Sequence, residues 1–242
     1  ALSTMLSLLR GFEERDMRVD LFISNYVYEK VYEGKHVTIS YHGALPRKKV
    51  FTWDKIGYFR PDQNLLMHSL CYRVDVLREA NLPLPAHTFY VDNIYAYVPL
   101  PHCKTMYYAD IDLYRYFIGR EGQSVNEATM IRRLDQQFRI TRIMMNAYHL
   151  YTDVKEPRLA SYMMGYFTMM MSVCSIFSKL SEEDRWKEEN KRLWAELKEY
   201  DERMYRHARC GILGIGTNLP TKAGEKASIG LYRAASKIFK FN

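Results

Sequence analysis

The period of the apolar residues changes near Asn126, and this change constrains the fold more than any other feature. Upstream of it the pattern has period two. Residues 106–117 alternate, with Tyr107, Ala109, Ile111, Leu113 and Phe117 on one face. Met106, Tyr108, Asp110, Asp112, Tyr114 and Tyr116 fall on the other. This predicts a half-buried strand with a polar, aromatic outer face. Residues 19–31 read as a second strand, and 35–43 as its hairpin partner across Glu33-Gly34. Residues 50–59 predict a short helix with a loop. Residues 63–72 contain a buried strand, and Arg73–Ala80 a short helix stopped by Asn81 and Pro83. Residues 1–17 form an amphipathic helix through Leu2, Met5, Leu6, Leu9 and Phe12.

Downstream the period is 3.6. A helix over 127–151 aligns Met130, Leu134, Phe138, Thr141, Met145 and Tyr148. A Met-rich helix spans 157–180. A capping box from Ser181 to Asp184 opens a charged third helix to about residue 209, with Trp186, Leu193, Leu197, Tyr200 and Met204 on its buried face. The fold class is therefore α/β, a mixed sheet with helices, followed by a C-terminal α-helical region. The domains are 1–126 and 127–242.

Apolar residues make up 48% of the 242, enough for a sizeable core and too many for a disordered chain. The 20 tyrosines suit stacking against sugar rings and suit an aromatic core equally well. A net charge of +7 favours acidic partners, but without an arginine-rich arm or an RNA-binding aromatic signature it does not favour nucleic acid. Cys71, Cys103, Cys174 and Cys210 form no C-x-x-C pair and no zinc spacing, so they read as free thiols of a reducing cytoplasm. Leu159–Ser178 carries no charge and has the length of a membrane span. It is moderately polar, and its stripe of Ser161, Gly165, Thr168, Ser172 and Ser175 lets helices approach closely in membranes or in soluble bundles; a buried soluble helix is the preferred reading. The chain opens with Ala in mid-helix and without a cap, as a processed or truncated start would. Residues 222–242 set Lys222, Lys226, Arg233, Lys237 and Lys240 against Glu225, with Ile229, Tyr232, Ile238 and Phe239 as an apolar side. That pattern fits a helix lying on a membrane surface. It also fits a docked helix with a solvated basic face, which is the preferred reading.

Four stretches invite a chemical reading. Asp110 and Asp112, two apart on a strand, present carboxylates on one side as Mg²⁺ or Mn²⁺ ligands do. A solvated face, or pairing with Arg115, explains them more simply. "GILGIGTNLP" (211–220) reverses the dinucleotide fingerprint and follows no strand, so it reads as a loop after a helix end. "GREGQSV" (119–125) gathers Arg120, Gln123 and Ser124 in a glycine-loosened loop that suits a diphosphate or an ordinary polar turn. Asp92 lies among Phe89, Tyr90, Val91, Ile94, Tyr95 and Tyr97. A carboxylate there has a raised pKa unless it is paired, as a general base would have. Capping a helix that starts at Asn93 is the structural alternative, and spacing leaves both open.

"HTFYVDNIYAYVPLP" (87–101) followed by "MYYADIDLYRYFIGREGQSVNE" (106–127) resembles bacterial family 2 glycosyltransferases of the GT-A type. "LLMHSLCYRVDVLREANLPLP" (65–85) looks like the acceptor-side stretch that precedes the catalytic base in such enzymes. The resemblance covers residues 1 to about 126, and the tail is similar to that of one Gram-positive-type subgroup. It implies an inverting sugar transfer in cell-envelope polysaccharide synthesis, with Asp92 as the base. By the same resemblance Arg120, Gln123 and Ser124 lie at the donor diphosphate, and His68 and Tyr72 on the acceptor side. The partners are a nucleotide sugar and a glycan or lipid-linked acceptor. The expected location is cytoplasmic, with peripheral attachment at the inner face of the membrane as the alternative to a free cytoplasmic protein. The sequence departs from the family's pattern at its start: the nucleotide-binding half, with its D-x-D motif, is missing, and residues 1–17 look like the helix that follows that motif. Asp110-Ile-Asp112 comes after the base, in the wrong place to substitute. The resemblance therefore implies a partial enzyme. Mg²⁺ or Mn²⁺ is expected for the complete one, and no ligands for it are found in this chain. The competing class is a non-catalytic glycan- or protein-binding module that uses the aromatic face and the helical tail, with Asp92 structural.

Overall fold

The computed structural model describes residues 1–30, 34–60, 63–118, 126–181 and 183–239, of which 237–239 as backbone only. The chain is α/β followed by helices, in two compact units. Unit 1 comprises Ala1–Pro83 and Tyr95–Glu121; unit 2 comprises Leu84–Ile94 and Gly122–Asn242. The segment carrying Asp92 thus belongs with the helical unit, whereas the sequence divides the chain only once, at 126.

Unit 1 is built on a mixed sheet. β1 (Leu21–Lys30) pairs in parallel with β5 (Met106–Ile118) along its whole length. Its other edge is covered antiparallel by β4 (Leu70–Tyr72) at the start and by β2 (Lys35–Ile39) at the end. β3 (Val50–Phe51) pairs antiparallel with the start of β5. β1 is buried through its first seven residues, as a parallel strand covered on both faces should be. α1 (Leu2–Glu13) packs on one face, where Phe12 meets the Tyr107 ring edge-on at 4.8 Å beside Phe22 and Ala109. α2 (Val74–Ala80) ends at Asn81, whose left-handed φ of 44° suits an asparagine C-cap.

Two short segments depart from the sequence reading. Residues 50–59 form β3 and a single 3₁₀ turn at Trp53–Lys55, held where the Trp53 indole N–H is shared by the carbonyls of Leu100 and Cys103. Of residues 63–72 only the last three form a strand, preceded by a 3₁₀ turn at Met67–Ser69. The buried Asp20, just before β1, accepts from the backbone N–H groups of Lys104 and Thr105 at 2.7 and 3.0 Å and from Arg18 at 2.6 Å. Burial pushes its carboxyl up, but those donors hold it below the ordinary value overall.

The long strand also differs in its facing. Ser24 pairs with Ala109, Asn25 with Asp112 and Tyr26 with Tyr114, so β5 carries extra residues at two steps. Cross-strand partners share a face, and neighbours on β1 face opposite ways. The bulge therefore puts Asp110 and Asp112 on one face with Asn25, and Tyr114 and Tyr116 on the other with Tyr26 and Tyr28. The alternation read from sequence holds up to Asp112 and is reversed beyond it. Met106 and Tyr108 are fully buried rather than on an outer face.

Unit 2 is helical. α3 (Asp92–Tyr97) begins in it and ends in unit 1. The expected helix over 127–151 is two, α4 (Glu127–Arg132) and α5 (Leu134–Ala147), broken at Arg133, which turns its guanidinium onto the Phe89 ring at 3.4 Å. α6 (Pro157–Leu180) has the predicted bounds. It is the one described helix long and apolar enough to cross a membrane, and 78% of its most apolar window is buried within the protein. Of the stripe read from sequence, Thr168, Ser172 and Ser175 are buried, and their hydroxyls, with that of Ser178, donate to carbonyls four residues back, whereas Ser161 and Gly165 are exposed.

The third helix is also two, α7 (Asp184–Tyr200) and α8 (Glu202–Cys210). The predicted box at Ser181 does not cap α7, whose N-cap is Glu183 with no side-chain bond. The cap that forms is Asp201, which accepts from the Met204 N–H at 2.9 Å and starts α8. Arg142 ties α5 to α7 by bonding both oxygens of Glu196 at 2.6 and 3.1 Å and Glu189 at 2.7 Å. Residues 212–217, read as a loop, form α9 (Ile212–Thr217). α10 (Thr221–Phe239) docks against α6, with Tyr232 edge-on to Phe177 at 5.7 Å.

Candidate functional site

Asp92 is the first residue of α3, and the backbone leading to it is strained. Tyr90 has φ 69°, a left-handed conformation that an aromatic residue adopts at a cost of about 1–3 kcal/mol. His87 has φ 52°. Unit 2 holds this segment at four points. The Phe89 N–H donates to Gln136 Oε1 at 2.7 Å, and Arg139 reaches Thr88 Oγ1 at 3.4 Å. Arg133 lies on the Phe89 ring. The Tyr166 hydroxyl donates to Asn93 Oδ1 at 2.9 Å, while Asn93 Nδ2 donates back to the Tyr90 carbonyl at 3.0 Å. None of these bonds uses the Asp92 carboxylate. Burial pushes its pKa up, and the backbone N–H groups of Asp92 and Asn93 offset only part of that rise. Among the described residues no cation pairs with it.

His68 and Tyr72 lie in unit 1, on the 67–72 stretch, and turn to different neighbours. The His68 ring is stacked on Tyr116 at 5.2 Å and on Tyr114 at 5.7 Å, and meets Tyr26 edge-on at 4.2 Å. Burial pushes its pKa down to about 4, so the ring is neutral at physiological pH, and its Nε2 has no hydrogen-bond partner among the described residues. Tyr72 packs edge-on against Tyr95 at 5.1 Å. Arg120, Gln123 and Ser124 fall within 119–125, outside the described residues.

The two carboxylates of the D-x-D triplet are bound together. Asn25 Nδ2 donates to Asp110 Oδ1 at 3.0 Å and to Asp112 Oδ1 at 3.1 Å. Asn25 Oδ1 accepts from the Tyr108 hydroxyl at 2.5 Å, which itself accepts from the Tyr41 N–H at 3.0 Å. Asp110 Oδ2 meets His42 Nε2 at 2.7 Å and Arg47 at 3.4 Å, and Thr38 donates to Asp112 at 3.2 Å. Arg115, the partner expected from sequence, is paired with Glu29 instead. A divalent cation at Asp110 would displace these bonds and meet Arg47 directly, so the pair does not fit the Mg²⁺ or Mn²⁺ role. Among the described residues no three His, Cys, Asp or Glu side chains converge as metal ligands.

Sequence reasoning missed the Tyr90 strain and the groups that hold it, Gln136, Arg139 and Tyr166. The Asn25 bridge was missed as well. No local signal marks Tyr90, because left-handed backbone is normally announced by Gly or Asn. The strand period could not announce Asn25, because its role arises from the bulge. Comparison of the chain with family models, with curated proteins and with solved structures gives no match.

Proposed function

We propose that Asp92 is the general base of an inverting glycosyl transfer from a nucleotide sugar to an acceptor hydroxyl. The observation that supports this most is a half-buried carboxylate whose pKa desolvation raises, at the end of a strained segment whose anchoring bonds leave it unused. A base whose pKa approaches the working pH holds an abstracted proton better than an ordinary carboxylate does. In the proposed step Asp92 takes the acceptor hydroxyl proton as that oxygen bonds to the anomeric carbon. The bond from that carbon to the nucleoside diphosphate breaks, and the diphosphate leaves from the opposite face, so the configuration inverts. The reading rests on Asp92 and on the sequence resemblance around it, and it assigns no step to the Asp110–Asp112 pair.

Titration calorimetry of this chain with UDP, GDP and their sugars, with and without Mn²⁺, tests donor binding. In a preparation that transfers sugar, Asp92→Asn is expected to keep donor affinity and lose roughly 10²–10⁴-fold in turnover. Transfer at the wild-type rate by Asp92→Asn refutes the assignment. The stacked His68–Tyr114–Tyr116 group favours a second reading, a glycan-binding module without catalysis. That reading expects glycan binding by wild type and Asp92→Asn alike, lost on Tyr114→Ala, with no transfer in any preparation.

A further inference from the structure

α9 carries its apolar side chains on the outside. Ile212 is 91% exposed, Leu213 50% and Ile215 51%, although they belong to one short helix packed among α6, α8 and α10. Gly214 explains this. A Cβ there would lie 1.9 Å from the Ala208 carbonyl oxygen and 2.8 Å from that of Arg209. The buried side of α9 is therefore bare backbone pressed on α8, and the aliphatic residues on either side of Gly214 must point to solvent. Leu231 on α10 adds a fourth exposed aliphatic side chain, at 58%.

The adjoining α10 exposes cations as well. Lys222, Lys226 and Arg233 stand on the solvent side of α10, with the small residues Ala223, Ala227 and Ala234 among them. The acid of this helix, Glu225, turns inward and pairs with Lys187 at 2.9 Å. Ser228 and Tyr232 face the core, where Ser228 accepts from Lys179 at 3.0 Å. Of the apolar side expected from sequence, Ile229 and Tyr232 are turned toward the protein, the side chains of Ile238 and Phe239 lie outside the described residues, and the exposed apolar groups are those of α9 with Leu231.

We propose that α9 and the outer face of α10 form a docking surface for an anionic lipid bilayer. The aliphatic side chains of α9 enter the interface, and Lys222, Lys226 and Arg233 meet lipid phosphates. Exposed aliphatics on α9, and cations on the adjoining α10 that have no ion-pair partner among the described residues, match such a surface in both respects. A second copy of the chain is a poorer occupant, because an isologous contact would bring the same cations face to face. The proposal stands apart from the transfer reading, since vesicle binding requires neither sugar nor base.

The test is flotation or co-sedimentation of the full chain with phosphatidylcholine vesicles, and with vesicles containing about one third phosphatidylglycerol, at two salt concentrations. Binding to the anionic vesicles that weakens with salt is expected. Ile212→Ser/Leu213→Ser/Ile215→Ser should weaken it by on the order of tenfold or more, and Lys222→Gln/Lys226→Gln by about fivefold per charge. Both variants change exposed side chains, so each checks the other should one prove unstable. Wild type that ignores anionic vesicles, or variants that bind as tightly as wild type, overturn the proposal. So does a dimer in light scattering that the triple variant dissolves, which would assign the aliphatics to self-association.

Discussion

Replacing Tyr108 by Phe removes one oxygen atom and should cost far more than such a change usually does. That hydroxyl is the middle of a chain, accepting from the Tyr41 N–H at 3.0 Å and donating to Asn25 Oδ1 at 2.5 Å. Tyr41 and Tyr108 are fully buried and Asn25 nearly so, so water cannot replace the lost partner. Two buried polar groups are orphaned at about 1–3 kcal/mol each, giving an expected loss of roughly 2–6 kcal/mol. Asn25 then loses the bond that fixes its amide, and Nδ2 no longer holds Asp110 and Asp112 together. Tyr114→Phe, on an exposed ring past the bulge, is the control and should change stability by less than about 0.5 kcal/mol. Urea denaturation at neutral pH measures both variants. If Tyr108→Phe costs no more than the control, the network does not hold this face of the sheet.

Three further outcomes follow from the same geometry. Burial raises the Asp92 pKa above its unfolded value, so the protonated form favours folding and stability falls as pH rises through that range. Asp92→Asn should therefore melt higher than wild type at neutral pH, with the gain shrinking as pH falls and the wild-type carboxyl takes up its proton. His68 titrates at about 4, below the ordinary imidazole, so it contributes stability above pH ~6.5 that is lost as pH falls. Its NMR signals should still be those of a neutral ring at pH ~5.5, and a midpoint near ~6.5 would contradict its burial against the tyrosines. Gly214→Ala should destabilise by roughly 1–3 kcal/mol and speed hydrogen exchange in α9, because the new methyl must displace the Ala208 carbonyl. An unchanged melt with unchanged exchange would mean that α9 is not seated on α8.

The long elements were legible because their periods are long. The 24 residues of α6 gave their own bounds, with Pro157 at the first turn and no charge from Leu159 to Ser178. The pairing partner of β5 was not legible, since a parallel ladder to β1 joins segments some 80 residues apart. The bulge could not be read either, because a single sequence shows its own alternation and not the count on the opposite strand. Helix breaks at Arg133 and Asp201 were missed for a different reason: both residues are ordinary helix members until a distant partner or a cap claims them. At the candidate site, the apolar setting of Asp92 was evident from its neighbours. What holds that setting in place comes from Gln136, Arg139 and Tyr166, far along the chain.

The interleaving of the two units also sets an order in time. β1 cannot complete its ladder until Ile118 has emerged from the ribosome, and that suffices for the sheet. Residues 84–94 have emerged by then too, but the side chains that hold them extend to Tyr166. They must wait through some 50 further residues, tethered at both ends to a unit already able to fold. The left-handed Tyr90 has no support during that interval, and an unsupported aromatic residue leaves that conformation. Asp92 is thus set in place late in synthesis, and a chain cut short before α6 should still build its sheet while leaving the candidate site unformed.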